Sequence, residues 1–360
     1  MMLGCLPLLV AALVDLIDPV VGTAQMGNCF PGPTWPFGMV QPGPDVVERY
    51  WDSCSGYDET STKLQGFTQT HLSGVGCSEM QDVLILPFIG EVPADESGPK
   101  GRIDRTTECA EAGYYAVSLT NFSVRAEVTA SRRVGYYRFT YPKGRARLYI
   151  DLSVGPVAWW NATNVVSNRV VHSTGRIEGS RLIGMNRNDG WLKDRDIFYC
   201  VEFSAHPVRV EELPVTGRKG KRFVLDFDLD GNVLQVKAAL SFSSEEGARR
   251  NLVSDSDGFD FDARREACRA AWEDICSRVV AEGPKAQLKT FYTSVYHLCV
   301  QPNLVSDVGE PDDFSTFSTW DTFRAAHPLY TIIVPEYVAS FVASMMRQYR
   351  RSGELPAWQL

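Results

Sequence analysis

The sequence has few of the features that mark nucleic-acid binders and membrane-spanning chains. Its 360 residues carry 36 Lys and Arg against 44 Asp and Glu, a net charge of −8, with no run of five basic residues. Such a chain attracts polyanions poorly, so we expect no nucleic-acid partner. The uncharged stretch 1–14 is shorter than the about 20 residues of a membrane-spanning helix, so no transmembrane segment is expected either.

Motifs of several enzyme and metal-site classes are missing as well. The nine cysteines form no Cys-x-x-Cys pair and no zinc-finger spacing, which argues against a cysteine-based metal site. The sequence leaves disulfide pairing open, although nine thiols cannot all pair. Gly-x-Ser-x-Gly is absent, so a Ser–His–Asp triad has no support. A lone histidine such as His71 is more often a structural, hydrogen-bonded residue than a catalytic base.

What the first two thirds of the chain do contain is a strand-like pattern. From about residue 18 to 245, short alternating segments such as Tyr114 to Thr129 are separated by Gly, Pro, Asn and Asp. This pattern favours an antiparallel β-sandwich over a parallel sheet. Residues 27–44 hold five Pro and four Gly, which predicts an extended, stiff loop.

Near residue 245 the period changes from strand-like to helical. Three apolar stripes at helical spacing predict three long helices with core faces, the second starting after Gly283-Pro284 and the third ending before Gly353. Their apolar residues are Cys268, Ala271, Trp272, Ile275 and Val279; Leu288, Phe291, Tyr292, Val295, Leu298 and Cys299; and Val338, Phe341, Val342, Met345 and Tyr349. Three helices do not close a helical domain, so the sequence reads as a fragment.

Three clusters are richer in Gly, Ser, Thr, His and aromatic residues than strands or helices require. The first, at 27–38, displays Asn28, Phe30, Trp35 and Phe37, and the second runs from Trp51 to Asp82. The third, at 314–328, contains Trp320 beside Asp321. An indole can cover the apolar face of a sugar ring while a carboxylate accepts hydrogen bonds from its hydroxyls. The alternative is that Asp321 caps a helix.

These clusters, in this order, resemble the N-terminal half of glycoside hydrolase family 92, the calcium-dependent exo-acting α-mannosidases. The resemblance rests on DPVVGT (18–23), which resembles the family's opening strand, and on FPGPTWPFGMVQPGPD (30–45), CSGY (54–57), GFTQTHLSGVGC (66–77) and FSTFSTWDTFRAAHPL (314–329). One departure is the Met80-Gln81 pair before Asp82, where the family more often has a small residue or Gly. The likeness spans roughly residues 18–360.

The resemblance implies a β-then-α, multidomain fold. We expect a signal or extra segment at 1–17, an N-terminal antiparallel β-sandwich at 18–245, linker helices at 246–284, and the start of an incomplete (α/α)6 barrel at 285–360. The active site would lie between sandwich and barrel. The general acid, the base and the main Ca²⁺ ligands would lie beyond residue 360, so no catalytic residue is expected in this chain.

The resemblance also implies substrate contacts. Trp320 and Asp321 are expected to hold the mannose before the scissile bond, Trp51 to face the leaving group, and Asn28, Phe30 and Cys54 to line the pocket, with a structural role as their alternative. The whole protein would then be an inverting exo-α-mannosidase acting on N-glycans or mannans with Ca²⁺ as cofactor. The residues leave its linkage preference and oligomeric state open.

Two other functions compete with that interpretation. A non-catalytic carbohydrate-binding β-sandwich module would share the sugar cavity without the paired carboxylates. A phosphorylase of the same plan would need a phosphate pocket, and the Gly- and Trp-rich loops hold few Lys or Arg. A secreted, periplasmic or cell-surface location is favoured over the cytoplasm, although the apolar residues 1–14 fit a buried first element as well as a signal segment.

Overall fold

The first two thirds of the chain form strands. A computed structural model describes residues 12–47, 53–95, 97–155, 170–190, 192–217, 219–254 and 258–358. The strands are β1 (Gly43–Val46), β2 (Lys63–Thr68), β3 (Leu84–Phe88), β4 (Gly101–Glu111), β5 (Tyr114–Leu119), β6 (Val124–Ala130), β7 (Val134–Thr140), β8 (Ala146–Asp151), β9 (Val170–Glu178), β10 (Arg181–Asn188), β11 (Arg195–Phe203), β12 (Arg209–Leu213), β13 (Arg222–Phe227) and β14 (Val233–Ser241).

All strand pairs described are antiparallel, and β1 to β14 form one continuous folded sheet. Its order is β12-β13-β8-β3-β2-β4-β5-β6-β7-β14-β11-β10-β9, with β1 paired to β2. The long strand β4 joins two halves: its start pairs with β2 at Gly101, and the rest pairs with β5 across an irregularity between Asp104 and Cys109. Such a break in register bends a strand and lets a sheet fold over itself.

The two halves of the sheet pack face to face around a shared core. Phe67 of β2 lies 6.2 Å, centroid to centroid, from Tyr137 of β7, and Phe203 of β11 lies 5.6 Å from Phe227 of β13. Strands that alternate inward and outward residues bury one side in this way. The expected antiparallel, β-first architecture is confirmed.

Helices follow the sheet. They are α1 (Glu245–Ser254), α2 (Phe261–Ser277), α3 (Lys285–Val300), α4 (Thr319–Thr322), α5 (Ala326–Ile333) and α6 (Pro335–Ser352), with the short pair β15 (Asn303–Leu304) and β16 (Phe314–Ser315) between α3 and α4. Gly353 ends α6 with a left-handed φ of 81°, the conformation expected of glycine there. No described helix has the length and apolar character that crossing a bilayer requires.

Two expectations need correction. Residues 18–23, expected as a strand, form turns, with Val21 N–H donating to Asp18 O and Thr23 N–H to Val20 O. The apolar stripes of α3 and α6 are not wholly core faces either, and Phe291 of α3 is 36% exposed. Phe341 is buried, but Val342 and Tyr349 are 53% and 45% exposed, because no described element covers that side of the helix.

Phe37 connects the Pro- and Gly-rich loop to the helices. Its ring is fully buried and lies 5.7 Å from Tyr330 of α5 and 4.8 and 5.2 Å from Tyr337 and Phe341 of α6, between ring centroids. Its N–H donates to Cys299 O at 2.8 Å, at the end of α3. A single loop residue thus touches three helices, and it does so with a left-handed φ of 55°.

We expect Phe37→Ala to lower the free energy of unfolding by about 3–5 kcal/mol, since it leaves a cavity among well-packed aromatic rings. The measurement is urea unfolding followed by the helical circular dichroism signal. Phe323→Ala, at a ring 55% exposed, is the matched control and should cost less than about 1 kcal/mol. Equal effects of the two substitutions would show that Phe37 does not hold the helices.

Candidate functional site

Trp320 and Asp321 line a cavity of about 590 Å³ at the C-terminal end of the described chain. Its other lining residues are Gly74, Val75, Gly76, Ala357 and Trp358. This volume lies within the about 300–1,000 Å³ typical of small-molecule pockets. The structure therefore brings the second and third sequence clusters together, although more than two hundred residues separate them.

The short helix α4 presents these two side chains. Ser318 is its N-cap residue, and Asp321 is its third residue, so the carboxylate does not occupy the capping position. Ser318 Oγ donates to Asp321 Oδ2 at 2.5 Å, which holds the carboxylate in place. Trp320 is 78% exposed, which is unusual for an indole and leaves its face available to a ligand.

The facing wall is the loop Gly74–Gly76. Gly74 has a left-handed φ of +74°, and a Cβ added there would meet no atom within 4 Å. Its N–H donates to Asn28 O at 2.7 Å, and the Asn28 side chain accepts from Cys54 N–H at 3.0 Å. Asn28 and Cys54 thus support this wall from behind, and both are buried.

Phe30 belongs to a neighbouring buried layer. Its ring stacks on His71 with the centroids 4.8 Å apart and the planes 4° from parallel. His71 Nδ1 lies 2.6 Å from Gln41 O, and since a carbonyl only accepts, Nδ1 carries the proton. His71 Nε2 lies 3.5 Å from the buried Asp45 carboxylate. This histidine is a structural residue, as the sequence favoured.

Trp51, expected on the leaving-group side, lies outside the described residues. Its role stays a prediction.

A buried ion cluster involves the segment that follows the Gly74–Gly76 loop along the chain, and the sequence pattern did not predict it. Arg195 Nη1 and Nη2 bind Asp82 at 2.8 and 3.1 Å, and Glu79 lies 3.6 Å from Arg195 Nε. Burial alone lowers the pKa of Arg195, but the charges of Asp82 and Glu79 outweigh burial and raise it above its ordinary value. Asn188 and Thr70 also donate to Asp82.

The segment from Met80 to Val83, which includes Asp82, is strained. Met80, Gln81 and Val83 have φ values of 70°, 65° and 57°, in the left-handed region that glycine adopts most easily. For the β-branched Val83 this conformation is a true outlier. The Met80-Gln81 departure thus falls where glycine would relieve strain, and the ion cluster of Glu79, Asp82 and Arg195 holds the segment in place.

A smaller cavity of about 130 Å³ lies on the other side of α4, lined by its N-cap Ser318 and by Thr322. His297 of α3 and His327 of α5 also line it. Their Nε2 atoms are buried, and no described residue gives either of them a hydrogen bond. Burial lowers the pKa of both imidazoles, and the Asp18 carboxylate opposes this effect at His297.

Among the described residues, Cys29, Cys109, Cys200, Cys268, Cys276 and Cys299 are free thiols. Burial raises the pKa of Cys268, Cys276 and Cys200, to about 12, 12 and 11. These three thiols are therefore poor nucleophiles.

Comparison with known proteins places these features in one family. The profile of the glycosyl hydrolase family 92 N-terminal domain matches residues 16–249, and that of the family's catalytic domain matches residues 247–360. The chain is 24% identical over 357 residues to a protein of Arthroderma benhamiae described as an uncharacterized secreted glycosidase, covering 86% of this chain and 45% of that protein.

Solved structures give the same result. A family GH92 α-mannosidase from Bacteroides thetaiotaomicron, in complex with mannoimidazole, superposes with a TM-score of 0.87 at 29% identity, covering 97% of this chain and 50% of that one. An inverting mannosidase from the same bacterium superposes at 0.83, covering 97% and 50%; at 22% identity this is a likeness of fold alone. The chain spans about half the length of these relatives.

We expect Arg195→Met to destabilise the protein by about 3–5 kcal/mol, because Asp82 and Glu79 are then left buried without their cation. The control is Arg187→Met, which removes a pair to Asp196 whose side chains are 45% and 27% exposed. That loss should cost at most about 1 kcal/mol. Urea unfolding measures both, and similar costs would mean that the buried cluster does not hold the loop.

Stability should also fall as the pH drops below about 6.5. An unfolded imidazole takes up a proton near pH 6.5, whereas His297 and His327 bind it only at lower pH when folded, so acid favours the unfolded chain. We expect the free energy of unfolding to decrease between pH 7 and 5, and less steeply in the His297→Gln/His327→Gln variant.

The matched control for this pH dependence is His172→Gln/His206→Gln, which replaces two exposed histidines. It should leave the slope between pH 7 and 5 unchanged. A slope equally insensitive to both double substitutions would contradict the assignment to the buried pair.

Proposed function

The chain belongs to glycosyl hydrolase family 92, and we propose on that basis that it provides the sugar-holding part of an inverting exo-α-mannosidase that acts on terminal α-mannosides of N-glycans or mannans. The observation that carries this proposal is the cavity shared by Trp320, Asp321 and the Gly74–Gly76 loop. The mannoimidazole complex of the Bacteroides relative supports a mannoside as ligand.

In this proposal each wall has a different task. The exposed Trp320 indole covers the apolar face of the pyranose, and Asp321 accepts hydrogen bonds from its hydroxyls. Gly74 and Gly76 carry no side chain, so the backbone of the loop can approach the ring closely. Contacts of this kind hold the glycosidic carbon in one orientation, which lowers the entropic cost of the reaction.

The chemistry itself needs two further groups. In an inverting glycosidase, one carboxylic acid protonates the leaving oxygen while a carboxylate activates water on the opposite face, about 6.5–9.5 Å away. Asp321 is the one carboxylate lining the described cavity. We therefore propose that the general acid and base lie beyond residue 360. Trp320, Asp321 and Trp51 are proposed to hold the substrate.

Calcium does not fit the described residues as a bound cofactor. These residues contain no group of three or more His, Cys, Asp or Glu side chains placed to hold a metal ion. Ca²⁺ takes about 6–8 oxygen ligands, and one carboxylate cannot supply them. We assign no step to calcium here, and its ligands in the whole protein would lie outside the described part.

The exposed apolar faces of the last helices support a larger protein. Ile332 of α5 is 72% exposed, and Val342 and Tyr349 of α6 are 53% and 45% exposed. Apolar side chains aligned on one helix side normally pack against another element. We propose that the other half of an (α/α)6 barrel covers them. We also propose that the β-sandwich ends at residue 245 and the linker helices end at residue 284.

Export is the location we propose. The relative from Arthroderma benhamiae is described as secreted, and an enzyme for glycan termini meets its substrates most readily outside the cytoplasm. The signal role of residues 1–14 stays a prediction, and residues 1–11 lie outside the described part.

The test is binding of methyl α-mannopyranoside by the 360-residue chain, measured by calorimetry, beside turnover of an aryl α-mannoside. We expect binding without turnover. Asp321→Asn should weaken binding about tenfold or more, because hydrogen bonds to a charged acceptor contribute about 1.5–3 kcal/mol. Asp230→Asn, at an exposed turn, is the control and should bind like the wild type.

Failure of the wild type to bind the mannoside would contradict the proposal. Turnover by this chain alone would contradict the placement of acid and base beyond residue 360. A non-catalytic binding module is the conclusion if the complete natural polypeptide also binds mannosides without hydrolysing them.

A further inference from the structure

Trp358 shares the cavity of Trp320 and Asp321, and no sequence motif assigned it a role. The sequence around it, Leu355-Pro-Ala-Trp358, follows the last long helix and has no helical or strand period of its own. The structure places it opposite α4. The inference drawn from it rests on the proposed function, since it concerns the same sugar.

Backbone contacts bring this segment to α4. Gly353 ends α6 in the left-handed conformation and turns the chain back. Trp320 N–H then donates to Ala357 O at 2.9 Å, and Thr319 Oγ1 donates to the carbonyls of Pro356 and Ala357. These bonds fix Trp358 relative to Trp320 and Asp321, the next two residues of α4.

The side chains of Trp358 and Trp320 are exposed as in a binding surface and are not covered as in a packed core. Trp358 is 40% exposed and Trp320 is 78% exposed, whereas Trp272 in the core is fully buried. An indole that only held α4 in place would be expected to be covered by it. Here the backbone bonds hold the helix, and both indoles keep surface facing the cavity.

A pyranoside suits such a cavity. Its C–H faces pack on indole rings, while its hydroxyls need acceptors in the ring plane, such as the Asp321 carboxylate. The backbone of Gly74 and Gly76 forms the remaining wall. Two indoles would limit the ring to one orientation, and orientation is what an exo-acting enzyme requires of its terminal sugar.

We propose that Trp358 is a second stacking residue of the mannose-binding cavity, and that Thr319 is a positioning residue that holds it there. The ligand class is a terminal α-mannopyranoside, held between Trp358 and Trp320 with Asp321 at its hydroxyl edge.

The experiment titrates the 360-residue chain with methyl α-mannopyranoside and follows the indole N–H resonances in a ¹H–¹⁵N NMR spectrum. Trp320→Phe and Trp358→Phe assign the two signals. Both signals should move along one binding curve in the wild type. Trp358→Ala should weaken binding about tenfold, while Trp358→Phe, which keeps an aromatic face, should retain most of the affinity.

Two further variants separate stacking from support. Thr319→Val removes the hydroxyl and keeps the shape, so it should shift the Trp358 signal without ligand and weaken binding. Tyr349→Ala removes a ring that is 45% exposed on α6, away from the cavity, and should change neither.

The outcomes distinguish this inference from the function it rests on. If the wild type binds the mannoside and Asp321→Asn weakens binding, but Trp358→Ala binds like the wild type, Trp358 is no stacking residue and the proposed function stands. An unmoved Trp358 signal at saturation leads to the same conclusion. If the wild type itself does not bind, the proposed function fails and the inference fails with it.

Discussion

The packing of Phe37 among three helices is the contact on which the rest of the arrangement depends. Its ring lies between α5 and α6, its N–H binds the last turn of α3, and its carbonyl accepts from Leu304 N–H at 3.2 Å. Because the loop around Phe37 is stiffened by proline and anchored in the sheet, these bonds fix the helices against the sheet. The helix α4, with Trp320 and Asp321, directly precedes α5 along the chain.

The candidate site is supported mainly from behind its surface. Asn28 holds Gly74 through a backbone bond, Arg195 holds Asp82 in a buried ion pair, and the carbonyls of 356–357 hold the first turn of α4. A binding site needs its contact residues locked by a second layer of contacts. The strain at Met80 and Gln81 is tolerated because Glu79 and Asp82 on either side are buried and paired with Arg195, and the strained Val83 directly follows Asp82.

The groups that line the described cavity are suited to binding a sugar, whereas hydrolysis needs further groups. The described cavity offers aromatic faces, one carboxylate and bare backbone, which in the proposed function bind and orient a sugar. Proton transfer at a glycosidic bond takes two carboxyl groups at a set separation. In the proposed function, further helices would cover the exposed apolar faces of α5 and α6 and would bring those groups to the open side of the cavity.

The sequence by itself determined the β-then-α order, the presence of three long helices, the start of α3, the end of α6, and the adjacency of Trp320 and Asp321, because alternation, helical period and neighbouring residues are local properties. The sequence did not predict the turns at 18–23 or the half-exposed face of α6, because both depend on which elements pack nearby. Only the tertiary structure decided that Gly74 and Trp358 share one cavity, that Asn28 and Cys54 support its wall, and that Arg195 meets Asp82. Those contacts join segments up to hundreds of residues apart, and no periodicity or spacing along a chain encodes which distant groups will meet.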